Sequence, residues 1–177
     1  MKKVFSFFAL TAIGLSLGVS SCSNEDPAKP LDINLKRTAT IKGALLYVSD
    51  ETEAAPGVWS APNVNEDDFY VTVNYSELTG NNNAKGVYVL PKDKIKYAKK
   101  DGTFTITVPV GISDTWVNVK INSFEGEVKI GSNDYFSAIW DSKVGVACVA
   151  PSEVTYLQFF WHWGEYTLIE KVGDDAW

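Results

Sequence analysis

The chain has 177 residues, enough for one domain and a tail, with 22 acidic against 16 basic side chains and a formal charge of −6. No basic surplus is present to neutralise phosphates, which excludes nucleic acid as the main partner. One histidine and two cysteines leave too few ligands for a His/Cys metal centre, no cofactor is called for, and 45% hydrophobic with 21% charged residues is a globular composition.

Met1-Lys2-Lys3 is a short basic start, and Val4 to Leu17 is an almost uninterrupted apolar run. Small residues follow, then Cys22. This is the layout of a secretory signal over 1–21, and the run is too short to span a bilayer. Val19-Ser20-Ser21-Cys22 resembles a bacterial lipobox. The resemblance implies cleavage before Cys22, acylation of that residue and a membrane partner through its lipid. Loss of Lys2 and Lys3 would leave 156 residues with 14 bases against 22 acids, a charge of −8. Ser23-Asn24-Glu25-Asp26 resembles the acidic export signal of surface lipoproteins in Bacteroides-type bacteria, which implies an outer-membrane anchor and an outward-facing domain.

Residues 22–37 then read as the lipidated cysteine and a flexible tether, because Pro27 and Pro30 discourage regular structure among mostly polar neighbours. From Thr38 onward, through 177, the period is two. Ile41, Gly43, Leu45 and Tyr47 alternate with Thr40, Lys42, Ala44 and Leu46. Val58 to Asp68 reads as a loop insertion. Val71, Val73 and Tyr75 mark a second strand, and Val87 to Leu90 a short third. Lys92 to Lys100 is a charged loop or an edge strand, where lysines resist edge pairing. Asp101-Gly102 turns the chain into Thr103 to Val110, whose Phe104, Ile106, Val108 and Val110 point one way and whose threonines point the other. Pro109 removes a ladder donor, so that strand ends there or lies at an edge. Val117, Val119 and Ile121 alternate with Trp116, Asn118 and Lys120; Gly126 and Gly131 read as turns; Val144, Val146 and Cys148 mark the next strand. Tyr156 to Trp163 and Tyr166 to Val172 read as a closing hairpin around Gly164. No stretch carries a helical stripe and no internal repeat is present. About seven to nine short strands predict an all-β, antiparallel two-sheet β-sandwich.

Thr40-Ile41-Lys42-Gly43, Ala55-Pro56-Gly57 before Phe69 to Val73, and Asp101 through Val110 (DGTFTITVPV) resemble the carboxypeptidase regulatory-like, or transthyretin-like, β-sandwich over 38–124. The resemblance implies a non-catalytic accessory module.

Chemistry is sparse. His162 needs a nucleophile beside it; Cys148 lies in a neighbouring strand, but its apolar run, VGVACVA, argues for a buried inert thiol. Asp50 to Glu53 and Asn65 to Asp68 cluster oxygens without a calcium-loop spacing. The aromatic content, 13%, is more informative. In Tyr156 to Trp163, Leu157, Phe159, Trp161 and Trp163 share one face, and Tyr156, Gln158, Phe160 and His162 the other. One face must be core; the other is covered or free to stack sugars or dock a protein. Trp59, Phe160, His162, Trp163 and Trp177 are the candidate ligand-binding residues. The readings left open are a surface accessory or adhesion module for a protein partner, a glycan-binding lipoprotein, and a fimbrial subunit matured by cleavage after Lys36-Arg37.

Overall fold

A computed structural model describes residues 33–52, 57–131 and 134–172. The proposed signal, Cys22, the acidic motif after it and Trp177 lie outside the described residues.

The longest element is β1 (Thr38–Asp50), and the larger sheet is organised around it. On one side, β6 (Thr103–Pro109) pairs antiparallel with Thr38 to Ala44, and β2 (Val58–Ser60) with Tyr47 to Asp50. On the other side, β11 (Val154–Trp161) pairs with Thr40 to Tyr47. Beyond it, β8 (Phe124–Ile130) reaches Asp50. The edges are completed by β5 (Ile95–Ala98) on β6, and by β9 (Asp134–Trp140) and β12 (Tyr166–Val172) beyond β8. The second sheet has the order β10 (Lys143–Val149), β7 (Thr115–Ile121), β3 (Phe69–Asn74), β4 (Val87–Val89). The result is an all-β sandwich of an eight-stranded and a four-stranded sheet. Its strands number twelve among the described residues, more than the sequence pattern yields.

The core follows the alternation. Ile41, Leu45, Phe104, Ile106 and Val108 face inward from the larger sheet; Val71, Val73, Val117, Val119 and Ile121 meet them from the smaller. Much of the aromatic content is core. Trp140 packs on Tyr47 at 5.0 Å and Tyr166 at 4.7 Å, and Trp161 meets Phe124 edge-on at 5.0 Å. The buried Trp161 indole donates from Nε1 to Asp141 O at 2.5 Å, satisfying its one polar atom. Pro109 ends β6 where β5 no longer covers it, as a residue without an N–H must. Within the lysine-rich segment, Lys92–Lys94 form one 3-10 turn and Ile95–Ala98 an edge strand, β5.

Several sequence expectations are corrected. Strands β11 and β12 do not form a hairpin: β11 pairs with β1 and β12 with β9. The β1–β11 pairing is parallel, an exception in a mostly antiparallel fold. The chain crosses between sheets at Ala150–Glu153, and Ser152 N–H to Thr38 O and Thr40 N–H to Glu153 O align the starts of the two strands. At the far end, His162 N–H donates to Glu165 Oε2 at 2.6 Å and turns the chain toward β9. Strands β8 and β9 escape the sequence reading because Gly126 sits inside β8, not at a turn. A Cβ there would lie 3.2 Å from both Trp140 Nε1 and Tyr47 Cζ, so the two rings pack closely over the glycine. Tyr75 opens a five-residue helix, α1 (Tyr75–Thr79), closed by Gly80 at φ 68°, rather than continuing β3. Residues 33–37 already belong to the domain: Ile33 packs on the core, and Arg37 donates from Nη1 to Gly111 O at 2.9 Å.

Candidate functional site

Alternation places the two faces of β11 in opposite environments. Phe159 and Trp161 are buried and Leu157 packs against the core, while Tyr156, Gln158 and Phe160 face outward. The second aromatic face of this strand is therefore an open surface of the larger sheet. Trp163 leaves the inner face assigned to it, because the strand ends at Trp161; it stands on the following turn, 47% exposed.

Trp59 lies on β2, not in a loop, and its register partner is Val48. The Trp59 ring meets Phe160 at 5.6 Å and His162 at 5.5 Å, both edge-on. Val48 beneath them is 1% exposed yet stands apart from the main core. A Cβ at Gly57 would fall 3.5 Å from Val48 Cγ1 and 3.6 Å from Trp163 Nε1. Four of the five candidate aromatic and histidine residues thus converge as a cap over one end of the outer face.

Register defines the rest of this face. Tyr156, Lys42, Thr105 and Lys96 form one row across β11, β1, β6 and β5. Gln158, Ala44, Thr103 and Ala98 form the next, and Phe160 with Leu46 a third. Neighbouring strands lie about 4.8 Å apart, so each four-residue row spans about 14 Å. The middle row is low: Ala44, Thr103 and Ala98 are small, and the aromatic cap rises at one side. Tyr156 is 74% exposed. Lys42 and Lys96 are exposed and form no ion pair among the described residues. One carboxylate borders the floor: Asp101 accepts from Thr103 N at 3.0 Å and Thr103 Oγ1 at 2.7 Å, which holds it below the usual range. The sequence shows the outward parity of Lys42 and Thr105, but not the cross-strand register that sets them beside Tyr156 and Lys96.

Beside the cap, Glu165 joins three elements. Lys143 Nζ donates to it at 2.7 Å and also to Phe160 O. Burial works against the Glu165 charge, but these donors together with His162 N–H outweigh it and hold the carboxyl below its usual range. Tyr166 donates to Glu51 Oε2 at 3.0 Å; burial, then the Glu51 carboxylate, push its phenol up to about 12.

The acidic loops find protein partners. Asn65 and Asp68 cap a single helical turn reciprocally, and Asp50 accepts from Thr52 and Lys129. A cleft of about 600 Å³ gathers Asp68, Glu125, Glu127 and Glu170, but no metal-holding group of His, Cys, Asp or Glu occurs among the described residues. Cys148 is half-buried on the outer face of β10, opposite Trp116, since Ala147 and Val149 take the inner face. Its carbonyl accepts from Thr155 Oγ1. His162 lies seven residues beyond Thr155, just past the end of β11 and about 23 Å away at the strand rise, so the two do not form a pair.

The sequence reading also missed the exposed outer face of the smaller sheet. There Trp116 is 53% exposed, with Tyr70, Val144 and Val146 outward and Asn118, Thr72 and Lys120 between them.

Comparison of the chain with family models, with curated proteins and with solved structures returns no match.

Proposed function

We propose that this chain is a non-catalytic binding module of the bacterial cell surface, anchored through an acylated Cys22 to the outer membrane and facing outward. The anchor reading is supported by the apolar run Val4 to Leu17, the lipobox-like Val19 to Cys22 and the acidic Ser23 to Asp26. A carboxypeptidase regulatory-like kinship over 38–124 accords with an accessory role. The binding reading rests on one observation: β11 presents Tyr156, Gln158 and Phe160 outward, beside the Trp59–His162 cap, on a sheet face no other element covers among the described residues.

Fimbrial maturation at Arg37 gains no support. That residue's guanidinium is tied to Gly111 O and its carbonyl accepts from Val110 N–H, whereas a processing protease needs an extended, free segment.

The test is made in cells of a Bacteroides-type host expressing the full chain. Labelled palmitate is expected to enter the wild type and not Cys22→Ser, and external protease is expected to remove the domain from intact cells. Soluble, unlabelled wild type, or full protection from protease, would overturn the anchored, outward-facing reading. Trp59→Ala with Tyr156→Ala is expected to abolish retention of whichever surface polymer or protein the cells capture through this chain; unchanged capture would overturn the binding face.

A further inference from the structure

The outer face of the larger sheet combines chemistry that a general binding surface does not need. We infer that it takes an anionic polysaccharide, a chain of sugars bearing carboxylates or sulfates. This rests on the binding-module reading above and names the ligand class.

Charge is the first argument. The chain carries a formal −6, yet the row Tyr156, Lys42, Thr105, Lys96 holds two ammonium groups without ion-pair partners among the described residues. They sit two strands apart, about 10 Å between backbones, on one face. The neighbouring rows hold no acidic side chain, and Asp101 at their margin is already engaged by Thr103. Paired charges on such a surface contribute little, whereas unpaired ones are open to a ligand's anions.

Shape is the second argument, and it separates a sugar chain from a peptide. Peptide anchors insert apolar side chains into desolvated pockets. Here the floor is Ala44, Thr103 and Ala98, small side chains in one cross-strand row. A pyranose needs a flat apolar surface against its C–H face and donors around its rim. The exposed Tyr156 ring supplies the first. The Gln158 amide and the Thr105 hydroxyl supply the second, and Lys42 and Lys96 meet acidic substituents along the chain. The span of about 14 Å suits a short run of sugars along the row rather than one ring.

The test is calorimetric titration of the full-length chain in neutral detergent with three probes: polygalacturonate for carboxylate, dextran sulfate for sulfate, and unmodified dextran as a neutral backbone. Saturable binding is expected for at least one polyanion and none for dextran, and the polyanion that binds identifies the anionic group. Affinity is expected to fall several-fold between low and physiological salt. Lys42→Gln with Lys96→Gln is expected to weaken binding at least tenfold, and Tyr156→Ala at least fivefold, all three residues being exposed and unneeded for folding. Trp116→Ala, on the other sheet, is expected to leave it unchanged. Equal binding of dextran, indifference to the double lysine change, or no binding of either polyanion would overturn the inference. A surface protein cross-linked to this face in cells, with capture lost in Tyr156→Ala and no polyanion binding, would overturn the ligand class while leaving the binding-module reading standing.

Discussion

Val48→Ala tests whether the aromatic cap is a packed unit. Val48 is 1% exposed although it points away from the main core. Its cover comes from Trp59, its register partner, and from the Gly57 backbone that lies between it and Trp163. Truncation removes two methyl groups from that site, worth about 1.6 kcal/mol at about 0.8 kcal/mol each. Incomplete collapse of the rings around the hole adds a cavity cost, for a total of about 1.5–2.5 kcal/mol. For a domain of this size that lowers the melting temperature by about 5 °C. Urea unfolding followed by tryptophan fluorescence and by far-UV circular dichroism measures it, with the slope against urea unchanged. A Val48/Trp59 double-mutant cycle is expected to be non-additive by more than about 0.5 kcal/mol, because the two share one packed site. A loss below about 0.5 kcal/mol, the range of ordinary surface substitutions, would refute the reasoning and show the cap to be loose.

Four further predictions concern single sites. Gly43→Ala places a Cβ 1.6 Å from Leu157 O, a backbone atom of the paired strand, and 2.5 Å from Phe104 Cζ; the variant is expected to lose its folded circular dichroism signal. Gly80→Ala meets open space at φ +68° and is expected to cost only about 1 kcal/mol in urea. The Glu165 carboxyl lies below its ordinary 4.5, so its contribution to stability is present above that value and is lost as pH falls through the folded value. The stability gap between wild type and Glu165→Gln is expected to shrink as urea midpoints are followed from pH 6 down to 3; a gap that stays constant would refute the assignment. Tyr166 is raised from 10.0 to about 12, so its contribution is complete below 10 and is lost as pH rises toward 12. Tyr166→Phe is expected to flatten the alkaline fall in stability that wild type shows over that window.

What the sequence made legible was parity. Thr103 to Pro109 and Thr115 to Ile121 alternate cleanly because one face is core and the other meets water, so their inward residues are read directly from the pattern. Parity fails where both faces are apolar. In β10 the pattern VGVACV does not say that Val144 and Val146 face out while Ala147 and Val149 face in; Gly145 decides it, since a Cβ there would lie 2.9 Å from Phe159 Cζ. It fails again for β8, where an interior glycine and two glutamates resemble a turn until Trp140 is seen packing over that glycine. For the candidate site, the residue types in Tyr156 to Trp163 were legible, and so was the division of β11 into two faces. The neighbours were not, because strand order is set by long-range contacts. That Trp59 from β2 closes over Phe160, with β1 between them, depends on a pairing about a hundred residues apart in the chain.

The same topology separates charge across the molecule. Glu125, Glu127 and Glu170 belong to β8 and β12, and with Asp68 they line the open cleft at that end of the larger sheet. Lys42 and Lys96 belong to β1 and β5, on the part of the sheet that β11 and β6 also build. Three glutamates of the larger sheet thus lie on one wing, and on the other lie two ammonium groups without ion-pair partners among the described residues. The field of such a surface repels an anionic chain from the β8–β12 wing and concentrates it over the β11–β1–β6–β5 face. Overall negative charge and an anionic ligand are therefore compatible, because the local field at the face, and not the sum over the chain, sets the encounter. Neutralising the acidic wing, with Glu125, Glu127 and Glu170 all changed to Gln, should speed association with the polyanion and leave its dissociation rate unchanged, since none of the three lies on the binding rows.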